Sequence, residues 1–158
     1  MTAGYNFFKS GKDYEFYTAY GAAYAVSFAH ADLYFNTWHA VKDFIHRIDI
    51  IQTVTGPYNR HDLLTGITIA EILNDFFDTD NRNIAFYICD PRDGRVRTRQ
   101  RKFDYWYRLY NNNCNRIVSS IITKSITVDT VFIFNKNNPF AYDLPAIIDE
   151  AKNMFDDK

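Results

Sequence analysis

Apolar and polar positions alternate with period two along much of residues 5–58, and that alternation marks half-buried strands. Tyr14, Phe16 and Thr18 alternate with Glu15 and Tyr17, and after Ala19-Tyr20-Gly21 the pattern resumes at Tyr24, Val26 and Phe28. This predicts a hairpin, with Gly21 available for the turn. Further strands are expected over Asp32–Phe35 and Ile45–Ile51, and Gly56-Pro57 closes this half of the chain.

The period then changes. Ile69, Ile72, Leu73 and Phe76 fall at i, i+3, i+4 and i+7, the stripe of an amphipathic helix. The spacing predicts a helix from Asp62 or Thr68 to Phe77, and Thr68-Ile69-Ala70-Glu71 fits a capping box at the later start. Asn83–Cys89 is a short apolar run bounded by polar turns, which predicts a central strand. Asp90-Pro91-Arg92-Asp93-Gly94 is a turn, and a second helix follows to about Asn111. Two more strands are expected over Ile117–Ile126 and Thr130–Phe134. After an Asn138-Pro139 loop, Asp143-Leu144-Pro145 opens a last helix with Asp as N-cap and Pro in the first turn. Its buried stripe is Ile147, Ile148, Ala151, Met154 and Phe155. The order predicts an α+β fold: a largely antiparallel sheet, an N-terminal meander plus later strands, with about three helices packed on one face. No internal repeat or long linker divides the chain, so residues 1–158 are expected to form a single domain.

Composition agrees with a globular chain. The 158 residues are 47% apolar, enough to build a core without a disulfide or metal. Two cysteines, Cys89 and Cys114, form no C-x-x-C pair, and two buried thiols in a reducing compartment are expected. No basic region followed by an apolar stretch opens the chain, and no run reaches the roughly 20 apolar residues of a membrane span. These features predict a cytoplasmic protein with no membrane partner. A net charge of −1 supplies no global field toward polyanions, so any such binding must be local.

One local cluster stands out. Arg92, Arg95, Arg97, Arg99, Arg101 and Lys102 place six of the 18 basic residues in eleven positions, and Phe103, Tyr105, Trp106, Tyr107 and Tyr110 follow. On a helical projection Val96, Phe103, Tyr107 and Tyr110 share a face, while Arg97, Arg101 and Arg108 lie opposite with Asp104 between them. The outer stripe suits phosphate oxygens, with the rings available to stack on bases. It equally suits a solvated amphipathic helix whose arginines pair with Asp104 and other local acids. Arg99 projects on the apolar side. A guanidinium there needs a partner, and a structural ion pair with Asp90 is expected, with Asp75 as second choice.

Other chemistry has little support in the residues. His30-Ala31-Asp32 and His61-Asp62 each offer two ligand types, but neither has the spacing of a zinc motif, so no metal or other cofactor is expected. Asp90 and Asp93 at a strand end could hold Mg²⁺ in a small nuclease, although arginine rather than lysine follows them. No phosphate-binding glycine loop and no G-x-S-x-G nucleophile occur. No catalytic residue is assigned.

Four stretches resemble an uncharacterised bacterial family, domain of unknown function 6169: Thr68-Ile69-x-x-Ile72-x-x-x-Phe76-Phe77; Tyr87-Ile88-Cys89-Asp90-x-x-Asp93-Gly94-Arg95; Arg99-x-Arg101-x-Phe103-x-x-Trp106-Tyr107; and Asn138-Pro139 before the last helix. Together with Tyr14-x-Phe16-x-Thr18 they reach across most of the chain. The resemblance implies a small bacterial, cytoplasmic protein and carries over no activity.

The expectation from the residues is therefore a non-enzymatic interaction domain such as an inhibitor, immunity protein or adaptor. It would bind a macromolecular partner, a protein first, through Arg97, Arg101, Lys102, Tyr105 and Arg108, since Arg and aromatic side chains dominate binding hot spots. Nucleic-acid binding by the same helix is the alternative, and a metal-dependent nuclease at Asp90 and Asp93 is the third. Oligomeric state is left open.

Overall fold

The four strands of the N-terminal half form an antiparallel meander: β1 (Phe7–Ser10), β2 (Asp13–Tyr17), β3 (Ala23–His30) and β4 (Ile45–Val54). The computed structural model describes residues 3–30, 40–56, 62–89, 113–122 and 127–156. β1 is a strand the alternation alone did not separate from its surroundings. A two-residue loop, Gly11-Lys12, joins it to β2, and Gly11 takes a φ of +62°, the positive value a tight hairpin turn requires at its first central position. Gly21, φ +80°, serves the β2–β3 turn as expected. The expected Asp32–Phe35 strand lies outside the described residues.

A short 3-10 helix (Ala40–Phe44) leads into β4. Helix α1 (Leu63–Thr79) then crosses to β5 (Ile84–Cys89), which pairs parallel with β4. β6 (Cys114–Ile122) and β7 (Thr127–Asn135) form a hairpin, and helix α2 (Leu144–Asp156) ends the chain. The sheet order is β1-β2-β3-β4-β5-β7-β6, antiparallel except at β4/β5. β5 is an interior strand, as its apolar run predicts, and β6 starts earlier than the expected Ile117.

Two α-helices stand among the described residues, where about three were expected. The remaining one, over Arg95–Tyr110, lies outside them. The helices also occupy both faces of the sheet rather than one. Tyr14, Phe16, Val26, Phe28, Ile48, Ala85, Tyr87, Val131 and Ile133 bury against Ile69, Ile72, Phe76 and Phe77 of α1. On the opposite face Ile84, Phe86, Phe132 and Phe134 bury against Leu144, Ile147 and Ile148 of α2 and Val41 of the 3-10 helix. The reason is local: β5 and β7 are apolar at both parities, so both of their faces need cover, while β2 and β3 alternate. Phe28 and Phe76 lock α1 to the sheet, their rings stacked at 3.8 Å and 9°. Ala151, Met154 and Phe155 of the expected α2 stripe fall outside the described side chains.

Of the two expected starts for α1, the structure takes the earlier. Asp62 is the N-cap, its Oδ1 accepting the Leu64 amide at 3.0 Å. Thr68 and Glu71 sit inside the helix and do not form a capping box. The hydroxyl of Thr68 donates to the Leu64 carbonyl and accepts the Tyr5 amide at 2.8 Å, and Glu71 Oε1 accepts the Gly4 amide at 3.0 Å. Both side chains are spent on holding the N-terminal segment.

Candidate functional site

Among the described residues, no helix covers one face of strands β1–β3. The even positions of β1 and the odd positions of β2 and β3 point away from α1, as do the odd positions of β4 up to a bulge beyond which Val54 takes that face; Ile45, at the start of β4, is buried with α2. The strand register sets Phe8, Glu15, Ala25 and Ile51 in one row across the four strands and Tyr17, Ala23 and Val54 in the next. Phe8 is 63% exposed, Tyr17 60%, Ile51 55% and Val54 50%. Phe8 and Tyr17 meet edge to face at 6.5 Å. Asp13 and Glu15 are exposed on the same face, and Arg47 there is paired with Asp49 at 3.0 Å. The face thus carries exposed apolar side chains with acidic groups among them, Glu15 standing between Phe8 and Ala25 in its row.

A second cluster lies at the other end of the meander, on the α1 side. His30, the last residue of β3, is the direct cross-strand partner of His46 in β4. Their rings lie 4.6 Å apart, and Lys12 in the β1–β2 turn places its Nζ 2.8 Å from His30 Nε2 and 3.3 Å from His46 Nε2. His46 is buried. Its Nδ1 lies 2.8 Å from the Phe44 carbonyl, which can only accept, so the contact calls for a proton on Nδ1, and Nε2 is turned toward Lys12. The His30-Ala31-Asp32 and His61-Asp62 pairs considered from the sequence do not describe this arrangement. Asp32 and His61 lie outside the described residues, and Asp62 is engaged by Leu64 and by the Tyr5 hydroxyl at 2.6 Å. No spacing in the sequence reveals a cluster drawn from a turn, a strand end and a strand start.

Arg97, Arg99, Arg101, Lys102, Tyr105 and Arg108, with Asp90 and Asp93, all lie outside the described residues. What is described is their approach: β5 ends at Cys89, paired with Asp129, whose Oδ1 accepts the Ser120 hydroxyl at 2.6 Å. Asp75, the second-choice partner for Arg99, accepts the Tyr14 hydroxyl at 2.7 Å and Lys9 Nζ at 3.3 Å. Cys114 is buried, and burial first, then the charge of Asp78, pushes its thiol up to about 11, so it is inert at neutral pH. Among the described residues no group of three or more His, Cys, Asp or Glu side chains could hold a metal ion, and no helix is long and apolar enough to cross a membrane.

An α+β protein with a mostly antiparallel seven-stranded sheet is the class these features define. The chain belongs to a family of unknown function (DUF6169), whose model matches residues 61–149. The four motifs from Thr68 to Pro139 fall inside that match; Tyr14-x-Phe16-x-Thr18 and strands β1–β4 precede it. A search of curated proteins returned no match.

Proposed function

We propose that the protein is a non-enzymatic interaction domain of the bacterial cytoplasm, an inhibitor, immunity protein or adaptor, that binds a protein partner. The observation that carries this is the exposed Phe8, Tyr17, Ile51 and Val54 on one sheet face. Large apolar side chains gathered on a polar-rimmed surface mark interaction sites, and tyrosine is enriched in hot spots. The acidic Asp13 and Glu15 on this face repel phosphate and favour a partner that carries basic as well as apolar groups. The Arg97, Arg101, Lys102, Tyr105 and Arg108 stripe supplies a second, basic contact in the same reading.

Nucleic-acid binding through that stripe is the other reading, favoured by six basic residues within eleven positions. The two separate cleanly. Partner capture from the native host should be lost in Tyr17→Glu and in Ile51→Glu variants that keep the wild-type melting temperature. It should survive moderate salt. Capture indifferent to both substitutions, together with a DNA or RNA shift that weakens steeply with salt and is lost in Arg97→Ala/Arg101→Ala, overturns the protein-partner reading. A Mg²⁺-dependent nuclease activity abolished by Asp90→Asn supports the third reading, catalysis at Asp90 and Asp93, against both.

A further inference from the structure

We propose that His30 and His46 form a two-imidazole site for a divalent transition-metal ion, with Lys12 as the internal cation that holds the site in the metal-free protein. Both Nε2 atoms converge on one point, and a cation is already there, the Lys12 ammonium at 2.8 and 3.3 Å. An ammonium donates, so both imidazoles offer it lone pairs, and a lone pair aimed at a cation is what a metal ion requires.

The ligands are held in place before any ion arrives. His30 and His46 are register partners on adjacent antiparallel strands, which fixes their separation. His46 is clamped at its back. Its Nδ1–H donates to the Phe44 carbonyl at 2.8 Å, and the Phe76 ring stands edge-on to it at 5.2 Å and 86°. A histidine ligand whose other ring nitrogen is tied to a carbonyl has its tautomer and direction set, the usual support of a metal-bound imidazole. His30 is exposed at the strand end and is the side chain that can adjust. A metal–nitrogen bond is about 2.0–2.1 Å, so each ring has to close by roughly 1 Å relative to its present contact with Lys12.

The donor set selects the ion. Imidazole nitrogen suits copper, nickel and zinc and does not suit Ca²⁺ or Mg²⁺, which take oxygen. Among the described residues the site offers two protein ligands, and positions not taken by protein go to water. Affinity follows the order of first-row ions, with Cu²⁺ tightest. Lys12 competes: its positive charge must leave as the ion enters. Its place in the exposed β1–β2 turn allows that, and it makes Lys12 the residue that sets the affinity.

The test uses the tag-free full chain, titrated at about pH 7.5, where unperturbed histidines are mostly neutral, with Cu²⁺, Ni²⁺ and Zn²⁺ by calorimetry, and with Cu²⁺ followed by electron paramagnetic resonance. The expected result is one Cu²⁺ bound with two nitrogen ligands in its spectrum, and weaker Ni²⁺ and Zn²⁺. Binding is lost in His30→Ala, an exposed position that leaves the core intact. It tightens roughly tenfold in Lys12→Ala, which removes the competing charge. No Cu²⁺ binding by either the wild type or Lys12→Ala overturns the proposal. So does binding that His30→Ala leaves unchanged, or that Lys12→Ala fails to strengthen.

Discussion

Tyr14 donates its phenol hydroxyl to Asp75 at 2.7 Å, joining the centre of β2 to the outer turn of α1. The ring of Tyr14 is buried at 1% exposure, so this hydrogen bond satisfies the one polar atom of a core side chain. Asp75 is also reached by Lys9 at 3.3 Å, but that pair is about 40% exposed on each side and adds little. Tyr14→Phe keeps the packing and leaves Asp75 with Lys9 and water. It should destabilise by about 1–2 kcal/mol in urea unfolding. Lys9→Ala should move the midpoint far less; equal effects would mean the ion pair, not the phenol, holds α1.

The same contact makes stability depend on alkaline pH. Burial first, then the hydrogen bond to Asp75 and its charge, raises the Tyr14 ionisation well above the ordinary 10.0. Tyr5 and Tyr24 are raised as well, each chiefly by burial. A phenol is neutral when protonated, and its folded-state pKa here exceeds the unfolded one. Its contribution is therefore whole below about pH 10 and is lost as pH rises from there through the folded value. The urea midpoint should hold level up to about pH 9.5 and fall above pH 10, less steeply in Tyr14→Phe. A level midpoint beyond that range in the wild type contradicts the assignment.

Gly4 lies directly on helix α1. A Cβ there would stand 2.6 Å from Thr68 Oγ1, 2.8 Å from Thr68 N and 2.9 Å from its Cα. Backbone inside a helix cannot yield, so Gly4→Ala has to lift the segment. The lift breaks the Gly4–Glu71 and Tyr5–Thr68 hydrogen bonds. A loss of about 1–3 kcal/mol is expected, with faster amide exchange at Tyr5 and no change in β5. Wild-type exchange at Tyr5 in the variant would show that the segment is held by other contacts.

Asn138 knots two loops together. Its Nδ2 donates to the carbonyls of Arg82 and Asn83 at 3.2 and 3.3 Å, and its Oδ1 accepts the Phe140 amide at 2.8 Å. It is 4% exposed, so an alanine leaves three backbone groups short of a partner. Asn138→Ala should cost roughly 2–3 kcal/mol by thermal or chemical unfolding, and Asp, which lacks the amide donor, should not rescue it. Full stability in Asn138→Asp would place the role in the acceptor alone. Asn138 lies within the stretch that the family model matches, and this contact gives it a structural role.

The local elements were legible in the residues because each is written in a short-range period. Tyr14 and Phe16, then Val26 and Phe28, alternate, and all four are buried. Ile69, Ile72 and Phe76 repeat at helical spacing and form the buried face of α1. The Asn83–Cys89 run is apolar at both parities from Ile84 and forms an interior strand, between β4 and β7. Thr68 and Glu71 misled because the capping-box pattern is three residues long, and the same two side chains serve a chain segment more than sixty residues away.

Periodicity thus marked strands β2 to β7 and the two described helices and showed which of their faces turn inward, since burial imposes the pattern residue by residue; it did not single out β1 or the 3-10 helix. Tertiary structure alone decided the rest: the parallel β4/β5 pair, the placing of β7 between β5 and β6, cover on both faces, and the sheet face displaying Phe8, Tyr17 and Ile51. It also decided that Lys12, His30 and His46 meet. Those relationships are set by the register between segments far apart in the chain, and a one-residue change of register would turn His30 or His46 to the opposite face while leaving every local period unchanged.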